Sequence, residues 1–403
     1  MKFQEVNTMY PNLSAPRAVY IHIPFCTNKC HYCDFNSYVL KGQPVMAYLH
    51  ALEREMERTV IALPPEQVRT IFVGGGTPTV LTPEQMEYFL KLVQTYFPHQ
   101  TNQVEFTMEA NPGTTDADKL EVMKAGGVNR ISFGVQSFDN TLLHRIGRIH
   151  STDDVYRSLE LAKKAGFDNL SIDLMFGLPG QTLETLESSV REALRLDLQH
   201  YSIYGLKVEE NTLFHTLFQK NELPLPEEED EVRMFEFIMN TLKSEGYEQY
   251  EISNFARSGY ASKHNSIYWH NESYYGLGAG AHGYAKGIRH VNARGVQEYI
   301  DATNERLPYI ENNLISVEEA MEDFMMVGLR MLKGITHTHF HQQFGLELDQ
   351  VFGASLERMV RKGLLEQFKE GYRLSPQGIF LGNEVFGEFI GALCDDGLAA
   401  NKA

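Results

Sequence analysis

Between residues 18 and 206, short β-branched runs alternate six times with longer amphipathic stretches. Few architectures bury such an alternation, and all of them layer helices on a sheet. The runs AVYIHI (18–23), RTIFVGGG (69–76), QVEFTMEA (103–110), NRISFGVQS (129–137), DNLSIDLMFG (168–177) and HYSIYGL (200–206) read as buried strands. Between them, VMAYLHALEREMERTVIA, PEQMEYFLKLVQTYF, DADKLEVMKAG, DDVYRSLELAKKAG and TLETLESSVREALRL carry apolar residues at helical spacing, with Pro, Asp or Thr at their starts. Strand–helix repeats of one crossover hand give a parallel sheet, either curled or open. Cys26, Gly74–Gly76, Glu109, Gln136 and Asp173 all fall at strand C-terminal ends. Parallel barrels collect their sites there, so the expected fold class is α/β, a partial (βα)6 barrel.

The pattern breaks after Leu206. A polar loop precedes a helix from about Glu228 to Glu245, whose acidic start (Glu227–Glu231) is a solvated first turn. Residues 259–295 are rich in Gly, Tyr, His and Asn and show little periodicity. From about Ile315 the chain turns helical again, and LLEQFKEGYRLSPQG reads as a strand pair. Helices followed by a hairpin suggest a small winged-helix-like domain. The expected organisation is a short segment 1–17, a barrel with its irregular appendage over 18–314, and the small domain over 315–403 with a loose tail. Cys394, in that tail, reads as a bystander.

A formal charge of −17 opposes binding to nucleic acid or to an anionic membrane face, so the small domain is expected to pack or meet a partner. No run of about 18 apolar residues suggests a membrane span. The first twenty residues lack the apolar stretch of a secretory signal, so the expected compartment is the cytoplasm.

Chemistry concentrates in IHIPFCTNKCHYCDF, where Cys26, Cys30 and Cys33 gather three of the four cysteines. Three thiolates so spaced can hold three irons of a [4Fe–4S] cubane and leave the fourth iron open. The alternative is structural zinc, with His22 or His31 as fourth ligand. A disulfide framework fits neither the odd count nor the chain length.

This loop after the first strand, with Tyr32 just before the last cysteine, resembles the cofactor loop of the radical S-adenosylmethionine (SAM) superfamily. The resemblance implies a cluster whose open iron chelates the methionine end of SAM. It extends, in order, to GGGTPT (74–79), TMEANPG, FGVQSF, RIGRIH and DLMFGLPGQT. It implies that Gly74, Gly75, Gly76 and Thr77 edge the cofactor site. Glu109 and Arg148 would serve the amino-acid end, Gln136 and Asp173 the ribose, and Tyr20 would lie near the methionine end. Acids for an ammonium and hydroxyls, and Arg for a carboxylate, are the inventory such a ligand wants.

Over residues 18 to about 380 the motif order is similar to the branch that holds oxygen-independent coproporphyrinogen III oxidase and the HemW-type heme chaperones. Two departures point away from the oxidase. Phe35 stands where the oxidase has a fourth cysteine, and only about seventeen residues precede the first strand. KHNSIYW (263–269) matches the HNxxYW motif associated with heme in the chaperones and holds the only tryptophan. Imidazole ligates heme iron well, so His264 is the expected axial ligand, with His282 and His290 as alternatives. Tyr268 and Trp269 offer flat faces for a porphyrin. THTHFH (336–341) reads as solvated surface. The resemblance implies a heme carrier for apo-hemoproteins such as respiratory enzymes, visiting the membrane surface transiently. The rivals are the oxidase and another radical SAM reaction such as methyl transfer, for which no second cysteine pair is visible.

Overall fold

The computed structural model describes residues 15–98 and 104–393. The expectations for residues 1–14, for Cys394 and for the end of the tail lie outside these described residues. Strands β1 (Ala18–Ile23), β2 (Thr70–Gly75), β3 (Glu105–Ala110), β4 (Arg130–Gln136), β5 (Asn169–Phe176) and β6 (His200–Gly205) pair in parallel in chain order. The connections run through α1 (Val45–Ala62), α2 (Pro83–Tyr96), α3 (Ala117–Ala125), α4 (Thr152–Lys164) and α5 (Leu183–Arg195). Local chemistry starts these helices: Thr82, Ser151 and Thr182 each accept from a backbone N–H three residues on, closing reciprocal caps that satisfy otherwise orphaned donors. The strands bury both faces, as in β4, where only Gln136 is not fully buried. Their apolar side chains and the helices form one continuous core around Ile21, Phe106, Ile131, Phe133 and Ile172. The chain is therefore an α/β protein built on a partial parallel barrel.

Residues 259–295 are the main correction. They fold into a helix, α6 (Lys263–Trp269), and strands β9 (Tyr274–Leu277), β10 (His282–Ala285) and β11 (Ile288–Asn292). Strand β9 pairs in parallel with β1 on the side away from β2, and β10, β11 and β12 (Tyr309–Leu314) continue antiparallel from it. Beyond β6, antiparallel β8 (Asn254–Ala256) and β7 (Glu248–Glu251) complete a sheet of twelve strands among the described residues. The glycines that hid this order in the sequence make it possible. A Cβ on Gly276 would collide with the His282 carbonyl, so only glycine lets β9 and β10 close up.

After Ile315 come α7 (Val317–Gly328) and two further helices, His337–Phe344 and Leu348–Arg361. They pack with a three-stranded antiparallel sheet of β13 (Ile335–Thr336), β14 (Leu365–Phe368) and β15 (Gly371–Leu374) around a second core of Phe324, Phe340, Phe352, Leu356 and Phe389. The THTHFH stretch is less solvated than expected: Thr336 caps the helix, Phe340 is buried and the His339 ring packs against Phe324 at 5.0 Å. At the junction with the barrel, the Arg330 guanidinium lies 4.5 Å over the Trp269 ring and 3.4 Å from the fully buried Glu251 carboxylate. No helix among the described residues is long and apolar enough to cross a membrane.

Candidate functional site

The three cysteines sit on a loop pinned at both ends, because Phe25–Cys26 pairs in parallel with Tyr38–Val39. Further bonds tie it to the segment after β4: the His31 N–H donates to Ile146 O (3.1 Å), the His31 ring bonds Arg145 O (3.0 Å) and Asn28 donates to Gly147 O (2.8 Å). All three thiols line one cavity of about 120 Å³ at the C-terminal ends of the strands. The Thr77 hydroxyl is 3.5 Å from Cys26 Sγ, and Arg148 Nη1 is 3.5 Å from Cys30 Sγ. Burial raises the Cys26 thiol and pushes Cys33 up to about 11, so metal binding there must displace protons. Among the described residues no three His, Cys, Asp or Glu side chains are close enough to chelate one ion. A cubane asks for something different, since each thiolate takes its own iron. The two histidines proposed to complete a zinc site are engaged elsewhere. His22 bonds the Tyr20 hydroxyl (2.9 Å) and Asn36 O (2.8 Å), and His31 holds the loop.

The rest of that cavity is polar. Gly75, Gly76, Thr77, Glu109, Gln136, Arg148 and Asp173 line it. Gly74 does not. Its role is to admit Glu109: a Cβ there would stand 2.7 Å from Glu109 Oε2. Gly75, at φ +104°, adopts a conformation few side chains tolerate, and a Cβ on it would enter the His22 ring. The glycine run thus makes room for neighbouring protein groups, while Gly75 and Gly76 also edge the cavity. Gln136 sits at a break in the β4–β5 register with φ +69°, a strained setting for a side-chain-bearing residue. Burial, and then the charge of Asp173, push the Glu109 carboxyl up to about 8; the Gly75 N–H donates to it at 3.2 Å. Burial likewise raises Asp173, which accepts from the Ser132 hydroxyl at 3.2 Å. Asn111 and Ser132 also line the cavity and were missed. Asn111 accepts from Arg148 and donates to Thr77 (2.7 Å), and its signal was present two residues beyond Glu109 in the same motif.

Tyr20 lies next door. With His22, Asn36, Tyr268, Tyr274, His282 and Arg294 it lines a larger outer cavity of about 510 Å³, which shares Phe35, Gly75 and Glu109 with the cysteine cavity. That volume is within the ~300–1,000 Å³ usual for small-molecule sites. The HNxxYW segment is placed differently from expectation. His264 is fully buried and stacked on Phe72 (5.1 Å). One ring nitrogen bonds the Thr70 hydroxyl (2.9 Å) and the other bonds the Tyr268 hydroxyl, one turn on in its own helix (2.8 Å). Burial, then the charge of Arg130, pull this imidazole down to about 3. As folded, His264 has no nitrogen free for iron, and the expectation of an axial ligand here is corrected to a packing role. Trp269 is corrected too: it is absent from the cavity wall and packs with Tyr250 and Met331 beneath Arg330. Of the motif's three named residues, Tyr268 alone lines the cavity. His290, an alternative, is buried with its ring bonded to Gly276 O (3.1 Å) and stacked on Tyr309.

A cysteine loop at the mouth of a partial parallel barrel, followed by a module of helices and a three-stranded sheet, marks a radical SAM-type protein. Residues 20–193 match the radical SAM superfamily and residues 315–381 match the HemN C-terminal domain. The heme chaperone HemW of Bacillus subtilis is 47% identical over 94% of this chain and 100% of its own length. That of Escherichia coli is 35% identical over 93% of this chain and 98% of its own. The cattle protein called radical S-adenosyl methionine domain-containing protein 1, mitochondrial, is 35% identical over 90% of this chain and 84% of its own. The chain belongs to the HemW heme chaperone family. The structure of coproporphyrinogen III oxidase (HemN) from Escherichia coli superposes with a TM-score of 0.82 at 22% identity, covering 96% of this chain and 92% of that one. That likeness is one of fold.

Proposed function

We propose that this chain is a cytoplasmic carrier that binds heme and passes it to apo-hemoproteins, and that it holds a [4Fe–4S] cluster and SAM beside the heme. The observation that carries this reading is the pair of adjoining cavities. The inner one presents three thiols and a polar wall; the outer one is roomy and edged by the rings of Tyr20, Phe35, Tyr268 and Tyr274. Cys26, Cys30 and Cys33 would hold the cluster, a fit supported by their convergence on one cavity with Arg148 between them and the strand ends. Glu109 and Arg148 would take the amino-acid end of SAM, and Gln136 and Asp173 its ribose. Burial raises the Glu109 carboxyl to about 8, and a cationic ligand beside it would stabilise its ionised form. Reduced cluster and SAM together supply radical chemistry when bound. Phe35, 63% exposed and lining both cavities, puts an aromatic ring where the oxidase has a cysteine. Respiratory apo-enzymes, met at the membrane surface, are the proposed acceptors.

The test is an anaerobic titration with heme, with and without reconstituted cluster, followed by transfer to an apo-hemoprotein. Saturable heme binding with transfer is expected, as is uptake of about four irons that serine at Cys26, Cys30 or Cys33 abolishes. Decarboxylation of coproporphyrinogen III by the reduced protein with SAM, or failure to bind heme, overturns the reading.

A further inference from the structure

Two histidines line the outer cavity, and they are not equivalent. Both ring nitrogens of His22 are bonded, to Tyr20 and to Asn36 O, and the ring is buried. His282, on β10, is exposed and makes no hydrogen bond through its ring to another described residue. The cavity wall offers no other neutral nitrogen ligand among the described residues, and burial holds the phenols of Tyr20, Tyr268 and Tyr274 in their protonated form. The wall also contains a single Lys or Arg among the described residues, Arg294, exposed and with no ion-pair partner among them. Its backbone carbonyl is fixed, accepting from Asn36 (3.0 Å) and Tyr38 (3.0 Å) on the cysteine loop. Two carboxyl groups, Asp34 and Glu109, stand in the same wall. An anionic ligand edge is thereby directed towards Arg294.

We propose that His282 is the axial ligand of ferric heme bound in the outer cavity and that Arg294 pairs with one of its propionates. This rests on the heme-carrying function proposed above. Neutral imidazole is a good ligand for heme iron, and Arg matches a carboxylate with two parallel hydrogen bonds. The cavity's aromatic rings supply the flat contacts a macrocycle wants. Ligand and cation both project from the segment 274–294 that completes the sheet beside β1, so one element would hold the cargo.

The experiment titrates the purified full-length protein with hemin, hemin dimethyl ester and metal-free protoporphyrin IX. His282→Ala should lose the imidazole-ligated spectrum and bind hemin at least about tenfold more weakly, yet bind metal-free protoporphyrin IX as the wild type does. His282→Cys should bind hemin with a thiolate-type spectrum, which reports ligation at this position directly. Arg294→Gln should weaken hemin about tenfold and leave the dimethyl ester unaffected, because only the charged propionate loses its partner. An unchanged hemin spectrum and affinity in His282→Ala overturns the ligand. Equal losses for hemin and its ester in Arg294→Gln overturn the propionate contact. Absence of porphyrin binding by the wild type is a distinct result and removes the function on which both rest.

Discussion

Glu109 shows how a single side chain can be placed from sequence and still surprise in its state. The motif order identified it, because an acid at a strand end in such a chain has few other uses. What no motif conveys is that its surroundings leave it protonated near neutral pH, since its burial and the nearby charge of Asp173 arise only when β3 and β5 are brought together. The sign of the consequence is definite. A carboxyl raised from its ordinary value of 4.5 to about 8 favours the folded state below the ordinary value, and that contribution is lost as pH climbs through about 8. Cofactor-free Glu109→Gln should therefore melt higher than the wild type above about pH 8, with the gap closing as pH falls towards about 4.5. Thermal denaturation across that range checks it. Saturating SAM should narrow the gap, because the proposed ammonium contact at Glu109 would favour the ionised form. Gln136 illustrates the opposite limit: its type was legible, but its left-handed backbone arises from a register break that one strand's sequence does not encode.

Elements built on periodicity were legible almost to the residue. Strand β1 and helix α1 coincide with AVYIHI and VMAYLHALEREMERTVIA, because burial on fixed faces writes itself into the spacing of apolar residues. Helix α6 did not announce itself. Seven residues long, it is held less by an apolar stripe than by Glu105, whose carboxylate accepts from the backbone N–H groups of Lys263 and His264 at 3.0 Å each. That acceptor lies on β3, more than a hundred and fifty positions away in the chain. Comparable separations in the chain concealed Thr70 and Phe72, which with nearby Tyr268 bond or stack on a histidine whose sequence context had suggested an iron ligand. His264→Ala removes two hydrogen bonds and a stacked ring from a fully buried site. We expect a loss of about 2–4 kcal/mol in chemical denaturation. The ligation signature of bound ferric heme should stay unchanged. A lost signature in folded protein would return iron ligation to this residue.

At the scale of the whole molecule, the barrel and the C-terminal module meet at a junction that includes a buried ion pair capped by an aromatic ring. Glu251 is fully buried on β7, accepts from Ser253 N (2.9 Å) and from the Asn254 amide, and has Arg330 as its cation. Removing the arginine strands a buried carboxylate and uncovers one face of Trp269. Arg330→Ala should cost about 2–3 kcal/mol, at the low end for a broken buried pair because the arginine is itself partly exposed. Comparative denaturation with Arg330→Lys, which keeps the charge and loses the planar stack, separates the two contributions. A hairpin after helices is a recognisable unit in the sequence. Its junction with the barrel is not, because it joins residues from three separate stretches of chain.

Trp269 is the only indole in the chain, and it lies at that junction, half-buried beneath Arg330 with no hydrogen-bond partner for its ring nitrogen among the described residues. The protein therefore carries a built-in optical gauge. All tryptophan emission comes from one spot where the two bodies touch, one residue from Tyr268 in the wall of the outer cavity. A loosened junction would register as a red shift, and a porphyrin in the cavity as quenching by energy transfer. Loading of cargo and seating of the C-terminal module can be followed by the same lamp, in unlabelled protein and in real time.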